Sequence, residues 1–270
     1  MILPVIIILG LVVIAIFANF LAPYAYDKID MRARFAPPVW MEGGSSAHLL
    51  GTDALGRDVL SRMIWGGRVS LSVSLLVIFI TAAIGTLMGI TAGYLGGRID
   101  SLLMRIVDIA MSFPGLLLAM LLSVGIGPGF HTVVIALSAL GWAGYARLVR
   151  GEALRLRNSD FVAQARVIGA SPWRIMLKHI FPNVLNPLIV IMTMAVGMMI
   201  LAESGMSYLG IGIPPPMPSW GSMVADGRNF LDSAWWISLF PGICIGLVVL
   251  SGNFLGDWLR DKMDPRLRQL

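Results

Sequence analysis

The stretch VSLSVSLLVIFITAAIGTLMGITAGYLGG, Val69 to Gly97, contains no Asp, Glu, Lys or Arg. A helix needs about 20 mostly apolar residues to cross the hydrocarbon of a bilayer, and this run is longer than that. Further charge-free runs lie on either side: Met1 to Tyr26, Ile109 to Ala146, His179 to Ala202, Ser204 to Ala225 and Ser233 to Gly256. The run from Ile109 to Ala146 is too long for one helix, and Gly125-Ile126-Gly127-Pro128-Gly129 divides it into two spans joined by a tight turn. The two runs that flank Glu203 merge into one span, because Pro214-Pro215-Pro216 and Pro218 stop any helix soon afterwards. The expectation is an all-α polytopic membrane protein with six transmembrane helices. Composition agrees: 57% of the residues are hydrophobic and 13% charged, whereas a soluble domain carries about a quarter charged residues.

The N-terminal run has no basic leading region and no small-x-small site after Phe20. Its apolar core is about twice the length found in a cleaved signal peptide, so residues 1–22 read as a retained helix. Residues 23–68 form an outside lobe with Pro37-Pro38 and Gly43-Gly44-Ser45-Ser46 as turn material. Residues 69–256 hold the remaining five spans, with an inner loop at 147–182, and 257–270 form a tail. Positive residues favour the cytoplasmic side. With the N-terminus inside, 13 of the 20 Lys and Arg residues fall on inner segments and 7 outside, so both termini are expected in the cytoplasm. The net charge of +5 reflects this bias and some attraction to anionic lipid, not nucleic-acid binding.

The inner segment DFVAQARVIGASPWRIMLKHIFPN, Asp160 to Asn183, is the most informative loop. Phe161, Ala165 and Ile168 recur at helical spacing after Ser159 or Asp160 as N-cap, and Gly169 follows as a C-terminal stop. Ser171 and Pro172 then open a second helix that runs to Pro182. Two helices meeting at a sharp corner suit docking into a groove of another protein; the plainer reading is a connecting loop.

Catalytic chemistry finds little material. The three histidines, His48, His131 and His179, are widely spaced, which removes a zinc pair, and no metal site is expected. Lys28, Lys178 and Lys262 follow Asp27, Leu177 and Asp261, which excludes a GxxxxGK phosphate loop. The lone Cys244 cannot form an internal disulfide and reads as a packing residue, as do most of the 17 methionines. Glu203 is the one acid well inside a span, a default functional candidate. With Met199 and Ser207 it is a candidate for the translocation path; the alternative is a carboxyl group hydrogen-bonded to a neighbouring helix. Asp108 and Asp257, at span edges, read as anchors.

The Asp160–Asn183 corner resembles the cytoplasmic signature loop of ATP-binding-cassette importer permeases, with Ala163, Ala165, Gly169, Ile180 and Pro182 in the motif's places and the opening Glu-Ala-Ala triplet matched loosely by Ala163-Gln164-Ala165. LGTDALGRDVLSR (Leu50–Arg62), SYLGIGIPPPMPSWG (Ser207–Gly221), GDWLRDKMDPRLR (Gly256–Arg268) and the stretch Gly96–Pro114 resemble the second permease of dipeptide, oligopeptide and nickel systems. That family usually has a basic stretch before span one, which this sequence lacks, so a different start is expected. The resemblance implies a type I importer permease fold and a non-enzymatic subunit that binds no cofactor. It further implies a sister permease, one or two ATPase subunits that hold ATP and Mg, and an extracytoplasmic solute-binding protein. Ala163, Gln164, Ala165, Arg166, Gly169, Ala170, Ser171 and Pro172 would couple to the ATPase. Asp53, Arg57, Asp58 and Arg62 would meet the binding protein or cap span two by salt bridges. Peptide is the expected substrate, with nickel or a metal chelate as the alternative. A secondary transporter would show paired mid-membrane charges or an inverted repeat, and neither is visible. A membrane-embedded hydrolase would need a nucleophile and base at helical spacing.

Overall fold

The computed structural model describes residues 2–263. Met1 and the expected tail beyond Met263, with Arg266 and Arg268, lie outside the described residues. The order is α1 (Ile2–Ile16), α2 (Ala18–Leu21), a loop-rich lobe with a 3₁₀ turn at Met31–Ala33, α3 (Val59–Leu95), α4 (Gly97–Ser112), α5 (Gly115–Ile126) and α6 (Phe130–Arg157). Then come α7 (Asp160–Val167), α8 (Pro172–Ile175), a π-helical turn (Met176–Ile180), α9 (Phe181–Tyr208), α10 (Trp220–Gly227), a 3₁₀ turn (Arg228–Phe230), α11 (Leu231–Ala234) and α12 (Trp236–Met263). The described residues contain no strand, only an isolated Thr52–Asp58 bridge.

Four helices are long and apolar enough to cross a membrane: α3, α6, the continuous rod Pro172–Tyr208 and α12. The pair α4 and α5, bent by 80°, makes a fifth if taken as one span, and α1 is a shorter apolar helix of 15 residues. These are the six helical segments that the sequence leads one to expect, with three corrections.

The third segment is broken, not straight. Phe113 is extended (φ −80°, ψ 130°), because the ring of Pro114 disfavours helical backbone in the residue before it. Helices also outrun the charge-free stretches. α3 starts at Val59, ten residues before Val69, α6 runs on to Arg157, and α12 to Met263. Charge does not stop a helix whose charged groups find partners: Asp100 pairs with Arg150 (Nη2–Oδ2 2.7 Å) and Asp108 with Arg147 (2.5 Å), joining α4 to α6. Lastly, the helix opened by Pro172 does not end at Pro182. The π-helical turn just before Pro182 widens the backbone where the proline has no N–H to give, and the rod continues.

α3 is the central rod, and its closest neighbour is α6. A side chain at Gly85, Gly89 or Gly93, four residues apart on one face of α3, would strike Tyr145, Ala146, Val149, Arg150 or Ala153 of α6 at 2.5–2.9 Å. Small residues at this spacing let two helix backbones approach where lipid supplies no hydrophobic drive. Below this seam Tyr94, Val149, Ala153, Val162, Ile175 and Ile180 form a cluster that ties the corner to the C-terminal ends of α3 and α6. At the opposite end of the bundle Phe35, Leu50, Val59, Met223, Trp236 and Ile237 bind the lobe to α10 and α12.

Candidate functional site

Three places hold the residues singled out by sequence. The first is the corner between α7 and α8. Ser159 is the N-cap residue of α7, but its hydroxyl turns back and donates to Leu156 O (2.6 Å). At the other end Gly169 takes φ +83°, the left-handed region that glycine enters without strain. Its N–H donates to Arg166 O and the Ala170 N–H to Ala165 O, both at 3.0 Å. This paired arrangement closes the last carbonyls of the helix. Ser171 then caps α8 by accepting from Arg174 N, with Pro172 in the first turn. The corner is therefore rigid on both arms.

Its faces differ from the expected stripe in one respect. Val162 and Ala165 are buried, while Phe161 packs against His179 and Ile168 points outward. The reason is the turn at Gly169, which leaves Ile168 on the tip of the corner. Val167 (88% exposed), Ile168 (85%) and Trp173 (62%) make an apolar cap there, beside exposed Ala163, Gln164 and Arg166. Arg166 lies over the Tyr94 ring and donates to Arg157 O.

The second place is the start of α3. Asp53, Arg57, Asp58 and Arg62 are all buried and bonded to one another or to their own loop. Asp53 Oδ2 accepts from Arg57 Nε (2.7 Å) and Arg62 Nη1 (2.5 Å), while its Oδ1 takes the Leu55 and Arg57 amides. Asp58 caps α3 by accepting from the Ser61 N–H and hydroxyl, and meets His48 Nδ1 at 3.0 Å. Sequence reasoning missed Asp226, which accepts from Arg62 Nη2 at 3.0 Å and lies 3.6 Å from Arg57. Two arginines thus share two aspartates brought together from opposite ends of the chain. Direct contact of these four side chains with an outside protein does not fit their burial; they cap α3 and fix the surfaces around them.

The third place is Glu203, fully buried on α9. Its Oε2 accepts from Ser70 Oγ on α3 (3.0 Å) and its Oε1 from Ser207 Oγ (2.7 Å). Ser70 Oγ in turn accepts from Trp220 N (3.3 Å), and Ser207 Oγ from Ile213 N (3.4 Å) and Ser219 Oγ (3.3 Å). This is the alternative reading of Glu203, a carboxyl joined to neighbouring helices. Ser207 reaches an outer pocket of about 550 Å³ lined also by Tyr208, Ser222, Asp226 and Arg228. Met199 packs against a separate cluster around Val73, Val133 and Met206. Ser70 carried no sequence signal, since serines are common in every span, and Ser219 and Trp220 stood out only as part of the Ser207–Gly221 stretch, with nothing to link them to Glu203. Among the described residues no three His, Cys, Asp or Glu side chains converge on a possible metal position.

Membrane-length helices that carry a capped two-helix corner at one end and a charge-locked lobe at the other define a membrane scaffold. Residues 85–269 match the family described as binding-protein-dependent transport system inner membrane component. Residues 5–38 match the N-terminal transmembrane domain of oligopeptide transport permease C. The chain belongs to this binding-protein-dependent transport family. It is 45% identical to a putative peptide transport system permease protein of Brucella suis biovar 1 over 96% of this chain and 87% of that one. It is 44% identical to the dipeptide transport system permease protein DppC of Escherichia coli K12 (95% and 85%) and 42% to that of Bacillus subtilis (97% and 81%). In fold it resembles a chain of the MetNI methionine ABC transporter, solved in inward-facing conformations, with a TM-score of 0.58 and 17% identity over 74% of this chain and 96% of that one.

Proposed function

We propose that this chain is the transmembrane permease subunit of an ATP-driven importer that passes di- and oligopeptides across the inner membrane. The observation that carries the reading is the corner: a rigid two-helix projection tipped by exposed Val167, Ile168 and Trp173. The names of its relatives, peptide and dipeptide permeases, support the substrate class and do not favour nickel. ATP and Mg are held by partner ATPase subunits, and this chain contributes no catalytic group. Residues 163–166 and 169–172 seat in a groove of the ATPase with both termini in the cytoplasm. A sister permease completes the path, lipid covers the remaining apolar faces, and a solute-binding protein docks on the outer lobe that Asp53, Arg57, Asp58 and Arg62 stiffen.

In mechanism, closure of the ATPases displaces the corner as a body, and the spans rock between inward- and outward-open states. Gly169→Asp places a charged side chain at φ +83°, where an L residue is strained, and should uncouple hydrolysis from uptake. The test is to tag the chain at native expression, solubilise it gently and identify its companions by mass spectrometry, then assay labelled dipeptide uptake in proteoliposomes. Recovery of a second permease and ATPases, with uptake abolished by Gly169→Asp, supports the reading. Recovery of the chain alone, transporting without ATP, sinks it.

A further inference from the structure

The inner corner and the Glu203 cluster are two ends of one object. The rod Pro172–Tyr208 is unbroken over 37 residues, so Glu203 lies about 45 Å from Pro172 along a helix rising 1.5 Å per residue. At that far end the Glu203 carboxyl of α9 accepts from Ser70 of α3 and from Ser207 one turn on along its own helix, and the start of α10 joins those two hydroxyls through Trp220 N and Ser219 Oγ.

The joint is close-fitting as well as hydrogen-bonded. A side chain at Gly221 would come within 2.3 Å of Ser204 Cα, and one at Gly212 within 2.1 Å of Ser207 Oγ. The Trp220 indole lies on Gly66-Gly67 of α3, with its Nε1–H donated to Met63 O at 2.9 Å. Glu203 has no cation within salt-bridge distance among the described residues. Its partners are hydroxyls whose own oxygens are occupied by backbone amides or by the Ser219 hydroxyl, so their protons are held toward the carboxyl. Its two oxygens hold Ser70 of α3 and Ser207 of its own helix at once.

We infer that Glu203 is a positioning residue of the transport cycle, the staple that makes the outer segment 209–227 move as one body with the α8–α9 rod. Displacement of the inner corner then reaches the outer pocket directly, because residues 207–215 and 222–229 line that pocket and hang on the same joint. This rests on the proposed docking of the corner to an ATPase.

The test uses the whole complex in nanodiscs, with Cys244→Ser as background and two pairs of spin labels. The inner pair, Leu177 and Arg98, reports the rod against α4; the outer pair, Met217 and His131, reports the outer segment against α6. In the native complex both distances shift between the nucleotide-free and the vanadate-trapped state. In Glu203→Ala the inner shift persists and the outer shift is lost. An outer pair that still follows nucleotide in Glu203→Ala overturns the inference, and so does joint loss of both shifts, which would mark general damage to packing. Where Glu203→Ala does not assemble, Ser219→Ala removes the α10 end of the chain of hydroxyls together with the N-cap bond from Ser222 N, and is read the same way. A native complex in which neither pair responds to nucleotide defeats the proposed function itself and takes this inference with it.

Discussion

Replacement of Gly89 by alanine tests whether α3 and α6 are held at a separation that only glycine permits. A methyl group at that position would stand 2.6 Å from Ala146 O, 2.7 Å from Val149 Cβ and 2.9 Å from Arg150 N. Two of these are backbone atoms of α6, so no rotamer change relieves the clash. Non-bonded carbons rest at about 3.5–4.0 Å, and α6 must therefore retreat by roughly 1 Å. That retreat would also open the contacts of Gly85 and Gly93 and expose part of Val149 and Ala153, now fully buried. Overpacking of a close-fitted interior costs about 1–3 kcal/mol. Each kcal/mol moves Tm by about 2–4 °C for chains of 150–250 residues, so a fall of roughly 2–12 °C is expected for the purified chain in detergent. Gly144→Ala on α6, where nothing lies within 4 Å, is the control and should not fall. A Gly89→Ala protein that melts with the native one, or a control that falls as far, would refute the seam.

Arg62→Leu leaves buried Asp53 and the partly exposed Asp226 with only Arg57 between them; breaking the buried Asp53–Arg62 pair costs about 3–5 kcal/mol, and limited proteolysis should cut the lobe far faster than in the native chain. Trp220→Ala empties the notch over Gly66-Gly67 and removes the bond to Met63 O, a loss of about 3–5 kcal/mol to be read as a lower Tm with the inner corner still protected from protease. Pro114→Ala restores an N–H and frees Phe113 for helical backbone; the distance between labels at Arg98 and Ile126 should rise toward about 42 Å, the span of a straight helix between those positions, and persistence of the 80° bend would show that packing, not the proline, makes it.

What sequence made legible here is what depends on local chemistry. Charge-free runs located every long span, because the cost of an unpaired charge in hydrocarbon is paid residue by residue. Gly169, Ser171 and Pro172 foretold the corner, because caps and stops are read from neighbours in the chain. The boundaries failed where a charge had a distant partner: Arg62 and Arg68 sit inside α3 and Arg150 inside α6, because Asp53, Asn19 and Asp100 receive them. The Gly85, Gly89, Gly93 repeat was open to view in the sequence, and its spacing alone could have named the face on which α3 meets its partner.

The roles of single polar residues were the least legible, for a physical reason. Glu203 in isolation predicts a group on a solute pathway, since a lone carboxyl in a span must otherwise find donors. The donors are serines 133 and 4 residues away, and no periodicity marks a serine whose hydroxyl faces a carboxyl as opposed to one that bonds back to its own helix, as Ser74 does to Ser70 O. Likewise Asp226 gave no hint that it would close the arginine network 164 residues away. Both sites sit where the outer segment 209–227 returns to α3, so the chain's two least predictable contacts are the two that fix this segment. A segment with no regular structure of its own from 209 to 219 has to borrow its position from side chains, and that is why its geometry could be read only once the helices were in place.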